Sequence, residues 1–438
     1  MIKEKIKYKK PHSLLKDPLA LVKSCSPNDL KNIDLKLLER QRKLLAKPHH
    51  ANHDKIDIFE DFLRLEELED EKKIGFKLCE EGKVAALIVA GGQGSRLGFS
   101  GPKGKFPVSN VKQKTLFQIF AEKTKAASEL YQKDLCLAFM TSVANEKESQ
   151  EYFKKNEYFG LKAEQILFFR QEQWPLLNME GQLFLNEKSN IAYGPNGNGY
   201  ALHKLFESGI WQNFWDRGIR YLNFLTIDNP LADPFDPNLF GFHHKQKADV
   251  TLKAVERIDA EEKVGVLLQK NGKAAVIEYS EIPKHEREAT NSEQKMKHPL
   301  ANISLFCFSM DFIQEISQEK MPLHLAKKEV KSIEGKKSAF KFETFIFDIL
   351  EKSIKTRALI YPRELCFAPL KEKEGLHGLK ALQKALLESD RKIYSVISGC
   401  QAPLSKNFEL SQNFYYPSET LQKKWKGQAL GGASYIEG

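Results

Sequence analysis

The sequence predicts an α/β protein on a mixed, mostly parallel sheet, with a helical segment before it and a small lobe after it. Three observations carry that expectation. The apolar run from Ala85 to Ala90 has the length and flanks of a buried parallel strand. Strand-like and helix-like segments alternate downstream of it. Three of the strand-like segments run directly into Gly91, Gln171 and Asp228, residue types that can touch a ligand. Ligands of open α/β sheets bind beyond the carboxyl ends of the strands, so these three would share one edge.

The chain divides at residues 82 and 371 into a helical region (1–82), a catalytic α/β domain (83–371) and a small lobe or tail (372–438). In the first, Leu14, Leu15, Leu19, Leu21 and Val22, then Leu30, Ile33, Leu35, Leu37 and Leu38, then Ile58, Phe59, Phe62, Leu63 and Leu65 recur at helical steps. Pro27-Asn28-Asp29 and Lys47-Pro48-His49-His50 interrupt them. His49, His50 and His53 lack carboxylates at ligand spacing and read as a polar loop.

Thr115-Leu116-Phe117-Gln118 is a capping box opening a helix to about residue 131. A strand follows over 135–140, then a helix capped by Asn145 and Glu148 that runs to 155. Further strands are expected over 166–169 and 221–227. Asn271-Gly272 marks a type I′ turn between strands 264–270 and 273–279, and a second hairpin turns at Glu180-Gly181. The last region holds one helix, 379–388, and a remainder rich in Gly, Ser and aromatics that reads as a lobe with a flexible tail.

A chain of 438 residues forms two or three domains, and its 41% hydrophobic and 29% charged content is ordinary for a globular protein. No apolar run reaches the length of a membrane span. The basic N-terminus is followed by no apolar core or cleavage site, so no signal peptide is expected. The six cysteines (25, 79, 136, 307, 366 and 400) show no C-x-x-C or His-paired spacing, which suits core thiols in a reducing cytoplasm and argues against structural zinc. The net charge of +10 is spread along the whole chain without an aromatic-interleaved strip, which favours small anionic substrates over nucleic acid.

The most informative stretch follows the first strand. Glycines stand at 91, 92, 94, 98, 101 and 104, with Arg96, Lys103 and Lys105 among them. Glycines let backbone N–H groups approach an oxyanion or a base edge, and the three cations suit a polyphosphate. The loop is neither of the two common phosphate motifs. Leu97 stands where G-x-G-x-x-G needs its third glycine. Gly98 is one residue too far from Gly104-Lys105 for a P-loop, and Phe106 replaces its Ser or Thr.

The residues resemble the eukaryotic-type UDP-N-acetylglucosamine pyrophosphorylases and related UDP-sugar pyrophosphorylases. The resemblance begins at Ala90-Gly91-Gly92-Gln93-Gly94-Ser95-Arg96-Leu97-Gly98, Pro102-Lys103-Gly104 and Lys114-Thr115-Leu116-Phe117-Gln118. It continues through Phe168-Phe169-Arg170-Gln171, Pro195-Asn196-Gly197-Asn198-Gly199, Glu278-Tyr279-Ser280-Glu281-Ile282 and Ala301-Asn302-Ile303, and closes at Phe367-Ala368-Pro369-Leu370-Lys371. It implies a Rossmann-like nucleotidyltransferase fold and a reaction of UTP with a hexose 1-phosphate, assisted by Mg²⁺, giving UDP-sugar and pyrophosphate. By position, Val89, Ala90, Gly91, Gly92, Gln171 and Gly197 would hold the uridine nucleotide. Asn198, Glu278 and Asn302 would hold the sugar phosphate, and Asp228 would hold Mg²⁺ against the UTP phosphates. Arg96, Lys103 and Lys371 would neutralise phosphate charge during catalysis.

N-acetylglucosamine 1-phosphate is the first expected sugar, with glucose 1-phosphate or a broad set as the alternative. A nucleotide- or nucleic-acid-binding protein that kept the fold without catalysis is the non-enzymatic alternative, and intact Arg96, Lys103 and Asp228 speak against it. The chain departs from the family pattern at Arg170 (Gln), Asn196 (Asp), Tyr200 (Gly) and Lys105-Phe106 (Met-Tyr), changes that bear on the sugar more than on the reaction.

Overall fold

A computed structural model describes residues 16–20, 33–46 and 54–438. Two compact units emerge. One gathers the described part of the first 54 residues with Gln171–Tyr200 and Lys320–Asp348; the other holds Lys55–Arg170, Ala201–Glu319 and Ile349–Gly438.

The larger unit contains the central sheet. Its main path runs Phe62–Arg64, Thr356–Ile360, Val250–Glu256, Leu300–Ser309, Tyr221–Thr226, Val84–Val89, Cys136–Thr141, Ile166–Arg170. Neighbours are parallel throughout except at Leu300–Ser309, which is antiparallel to both its partners. The hairpin Gly265–Lys270/Lys273–Ile277 extends from Leu300–Ser309. Asn271 and Gly272 have φ of 53° and 80°, as a type I′ turn requires. The mixed, mostly parallel α/β architecture is the expected one.

Val84–Val89 lies at the centre because it is apolar on both faces; residues 84–88 are wholly buried between Cys136–Thr141 and Tyr221–Thr226. The helix Leu116–Tyr131 packs beneath it through Phe117 and Phe120, and Phe117 meets Phe139 and Phe153 with ring centroids 5.3 and 5.2 Å apart. Thr115 Oγ1 accepts the Gln118 N–H at 3.2 Å, so the cap forms. Its reciprocal half does not, because Gln118 Nε2 donates to Glu122 instead.

Some expectations fail. The segment 58–65, read as helical, contributes the strand Phe62–Arg64, parallel to Thr356–Ile360. Ladder pairing with a distant strand overrides a local spacing that fits either form. The expected flexible tail instead adds Tyr435–Ile436 beside Glu409–Leu410 and packs Ile436 with Tyr394, Phe408 and Phe414 in a small core of its own. The helix begun at Leu379 continues to Ser398 and stops at Gly399 in the left-handed conformation.

The smaller unit packs the helix Leu35–Ala46 through Leu38 onto Trp174, Leu177, Leu183, Ile191 and Phe342. The turn at Glu180-Gly181 forms, with Leu177 and Leu183 bridged and Gly181 at φ 74°. A long antiparallel hairpin, His324–Ser332 with Gly335–Glu343, completes it. Residues Pro27 to Asp29, His49, His50, His53 and Cys25 lie outside the described residues.

Candidate active site

The glycine-rich loop leaves the carboxyl end of Val84–Val89 and folds back on itself. The Gly94 N–H donates to Gly101 O at 3.0 Å and the Lys103 N–H to Gly92 O at 3.1 Å. Gly98, at φ 70°, closes the short turn Ser95–Leu97. Two glycines do opposite jobs. A methyl group on Gly92 would meet nothing within 4 Å, so the loop is open there to an approaching ligand. A methyl group on Gly104 would lie 2.3 Å from the buried Phe117 ring, so here the backbone presses on the core.

Asn145 stands at the N-cap of the helix Glu146–Lys155, as expected, but its side chain makes no cap hydrogen bond and works elsewhere. Its Nδ2 donates to Ala90 O at 2.9 Å and Gly92 O at 3.3 Å, and its Oδ1 accepts from the Ser142 N–H at 2.8 Å. This buried amide clamps the start of the loop to the neighbouring strand end.

The loop cations separate into distinct environments. Arg96 is exposed. Lys105 pairs with Glu148 at 2.6 Å, which cancels a charge the sequence suggested was available. Lys103 Nζ lies 3.2 Å from Asp228 Oδ2. Asp228 follows the strand Tyr221–Thr226, beside the loop because the Ile227 N–H donates to Val89 O at 3.1 Å. Burial pushes the Asp228 carboxyl up, but the Lys103 ammonium, a hydrogen bond from Thr226 and the Lys371 charge outweigh it and hold the group below its ordinary value. Asp228 is therefore an anion at neutral pH.

Asp228, Glu278, Asn302 and Lys371 line one cavity of about 150 Å³, with Lys263, Ser304 and Phe367 also on its wall. Four residues from four distant segments thus line one cavity. Glu278 and Asn302 flank Gly265: a methyl group there would lie 3.6 Å from both Glu278 Oε1 and Asn302 Nδ2, and 2.7 Å from Val276. Lys371 is brought in by a residue the sequence reading passed over. The fully buried Asn229 donates from Nδ2 to Cys366 O at 2.7 Å and accepts from the Ala368 N–H at 3.0 Å. The Leu370 N–H also donates to Asp228 O at 2.8 Å. The only sequence hint was an amide between a carboxylate and Pro230 at a strand end.

The remaining expected residues lie in the smaller unit. Gln171 is buried. Gly197, at φ 82°, bridges Thr344 so closely that a methyl group would fall 2.2 Å from Thr344 O. Asn198 Oδ1 accepts from the Ile346 N–H at 3.0 Å. Tyr200 turns its ring edge-on to Trp174, 5.8 Å between centroids, and its hydroxyl accepts from the Met321 N–H at 3.2 Å. Phe345 and Phe347 stack on each other at 5.0 Å.

No group of three or more metal-ligating side chains occurs among the described residues. Asp228 stands beside cations, with Glu278 as the second carboxylate on the cavity wall. That donor set fits Mg²⁺ carried in on a triphosphate, since Mg²⁺ is commonly held by one or two carboxylates plus substrate oxygens.

A larger cavity of about 330 Å³ lies at the carboxyl ends of Phe62–Arg64 and Thr356–Ile360. Its arginines are internally matched, Arg64 to Glu256 at 2.6 Å and Arg363 to Glu262 at 2.8 Å, which leaves it poorly suited to a polyanion. No helix among the described residues is long and apolar enough to cross a membrane.

The chain is similar to several known proteins. UDP-N-acetylglucosamine pyrophosphorylase of Saccharomyces cerevisiae is 34% identical over 321 residues, covering 69% of this chain and 67% of its own. A Dictyostelium discoideum relative is 32% identical over 446 residues, covering 90% of this chain and 92% of its own. The crystal structure of a Trypanosoma brucei uridine diphosphate N-acetylglucosamine pyrophosphorylase, 23% identical, superposes with a TM-score of 0.80 over 93% of this chain and 91% of that one, a likeness of fold. Residues 36–415 match the family described as UTP–glucose-1-phosphate uridylyltransferase, and the chain belongs to that family.

Proposed function

We propose that the protein transfers a uridylyl group from UTP to a hexose 1-phosphate, releasing pyrophosphate, and that N-acetylglucosamine 1-phosphate is its preferred acceptor. The observation that carries this reading is the meeting of Lys103, Asp228 and Lys371 beside the glycine-rich loop, in the same unit as Glu278 and Asn302. A phosphate oxygen of the sugar phosphate attacks the α-phosphorus of UTP, the α–β bridging bond breaks, and pyrophosphate leaves with its electron pair. The attacking oxygen is already anionic at neutral pH, so no general base is required. The protein's task is to hold two repelling anions in line and neutralise their charge.

Lys103, Lys371 and Arg96 supply that neutralisation. Asp228 would hold Mg²⁺, which when bound screens the phosphate oxygens. The backbone from Val89 to Gly92 would grip uridine through its N–H and C=O groups. Glu278 and Asn302 would bind the sugar. The name of the yeast relative supports N-acetylglucosamine 1-phosphate, whereas the family description favours glucose 1-phosphate as the second candidate. Cytoplasmic residence belongs to the same proposal, supported by free thiols at Cys79, Cys136, Cys307, Cys366 and Cys400.

The test is pyrophosphate release with each of four nucleoside triphosphates against a panel of sugar 1-phosphates, with and without Mg²⁺. UTP with N-acetylglucosamine 1-phosphate is expected to give the highest kcat/KM, and Mg²⁺ to be required. Equal turnover with all four nucleotides, or none with UTP, overturns the reading. Preference for glucose 1-phosphate overturns only its sugar.

A further inference from the structure

We propose that Ser304 is a positioning residue that fixes Asn302 as a hydrogen-bond donor toward the sugar phosphate. This rests on the uridylyltransferase reading above. The strand Leu300–Ser309 shifts register between Asn302 and Leu305, and inside that bulge Ser304 adopts φ of 57°. Residues other than glycine rarely enter this left-handed region, and at functional sites such strain is held by the surrounding structure. Here it turns the Ser304 N–H back onto Asn302 Oδ1 at 3.0 Å.

That bond has a chemical consequence. A backbone N–H can only donate, so it commits the amide oxygen of Asn302 and orients the flip. The amide nitrogen is left facing the Gly265 side, where Glu278 Oε1 also lies. Asn302 Nδ2 can only donate, so this side of the amide suits an acceptor oxygen of the sugar phosphate. A flipped Asn302 would present an acceptor there and lose that match. The bulge therefore sets the polarity of the acceptor-binding wall, although Ser304 itself need not touch the ligand.

Three variants test this by steady-state kinetics, with KM measured separately for UTP and for the sugar 1-phosphate. Ser304→Gly accepts the left-handed backbone freely and is expected to keep KM for the sugar 1-phosphate within about twofold of wild type. Ser304→Val disfavours that backbone and should raise this KM about 10-fold, the loss of one hydrogen bond, with KM for UTP unchanged. Asn302→Asp keeps the oxygen that meets Ser304, replaces the donor with an acceptor, and should raise the same KM at least as much. It decides the matter if the valine variant does not fold.

The proposal is overturned if the glycine and valine variants behave alike, whether both unaffected or both impaired, or if Asn302→Asp retains the wild-type KM. A valine variant that raises both KM values equally reports general disruption and also overturns it. Wild-type enzyme inactive on every sugar 1-phosphate would refute the uridylyltransferase reading instead. A crystal structure of Ser304→Val then decides the positional claim: Asn302 Oδ1 withdrawn from residue 304 supports it, and an unmoved amide overturns it.

Discussion

Lys103 Nζ and Asp228 Oδ2 stand 3.2 Å apart, joining the glycine-rich loop to the end of the neighbouring strand. The cation expected to neutralise phosphate and the carboxylate expected to hold metal are partners. Lys103→Ala removes both the proposed phosphate contact and the largest influence keeping Asp228 ionised. Turnover is expected to fall about 10²–10³-fold, by analogy with the loss of one preorganised donor at a developing charge. Steady-state kinetics with circular dichroism checks that activity is lost while the fold persists.

Arg96→Ala should separate the same catalytic effect from stability. Arg96 is exposed on the loop, so its truncation is expected to shift stability by no more than about 0.5 kcal/mol. Turnover should still fall about 10²-fold. Thermal melts run beside the assay give both values, and wild-type turnover would remove Arg96 from the mechanism.

Gly104→Ala should act through packing. Its new methyl group would fall 2.3 Å from the Phe117 ring, which is locked against Phe139 and Phe153. Overpacking of this kind costs about 1–3 kcal/mol. Urea unfolding is expected to show a lower midpoint with an unchanged slope.

Asn229→Ala tests how Lys371 is held. Both ends of this buried amide are used, on Cys366 O and the Ala368 N–H, and truncation strands both partners. The expected loss is about 2–4 kcal/mol of stability, from two unsatisfied groups at roughly 1–2 kcal/mol each. Turnover measured well below the lowered Tm should fall too, because the segment carrying Lys371 is released.

Asp390 gives a prediction in pH. Burial pushes its carboxyl up to about 8, against hydrogen bonds from the Tyr415 hydroxyl and the Leu410 N–H. The unfolded value is near 4, so between about pH 4 and 8 the native state binds a proton that the unfolded state does not. Stability from this group is full below that window and falls as pH rises through it. Lys123, pushed down to about 8 by burial, titrates above the window and does not cancel the effect. Asp390→Asn mimics the protonated acid, so its Tm should gain on wild type by a few degrees between pH 5 and 8. A constant difference across that range would contradict the assignment.

The central strand, the helix after Thr115 and the Asn271-Gly272 hairpin were legible because their signals are local: an apolar run, a cap, a turn dipeptide. The strand Phe62–Arg64 was misread because the spacing of Ile58, Phe59, Phe62, Leu63 and Leu65 fits a helix, while its strand form depends on a partner near residue 358. Val250–Glu256, Leu300–Ser309 and Thr356–Ile360 were not anticipated at all, since long-range pairing defines them. In the site, Gly91 and Asp228 could be placed by the strands they follow. Glu278, Asn302 and Lys371 were reached only through family resemblance, because nothing local draws residues so far apart into one cavity. The clamping roles of Asn145 and Asn229 were not legible for the same reason: each holds backbone more than 50 positions away.

The most direct test is a crystal structure with UTP and Mg²⁺ bound. The triphosphate should lie along residues 91–105 with Lys103 on its oxygens and the metal on Asp228. A triphosphate seated elsewhere, with this loop empty, would contradict the account.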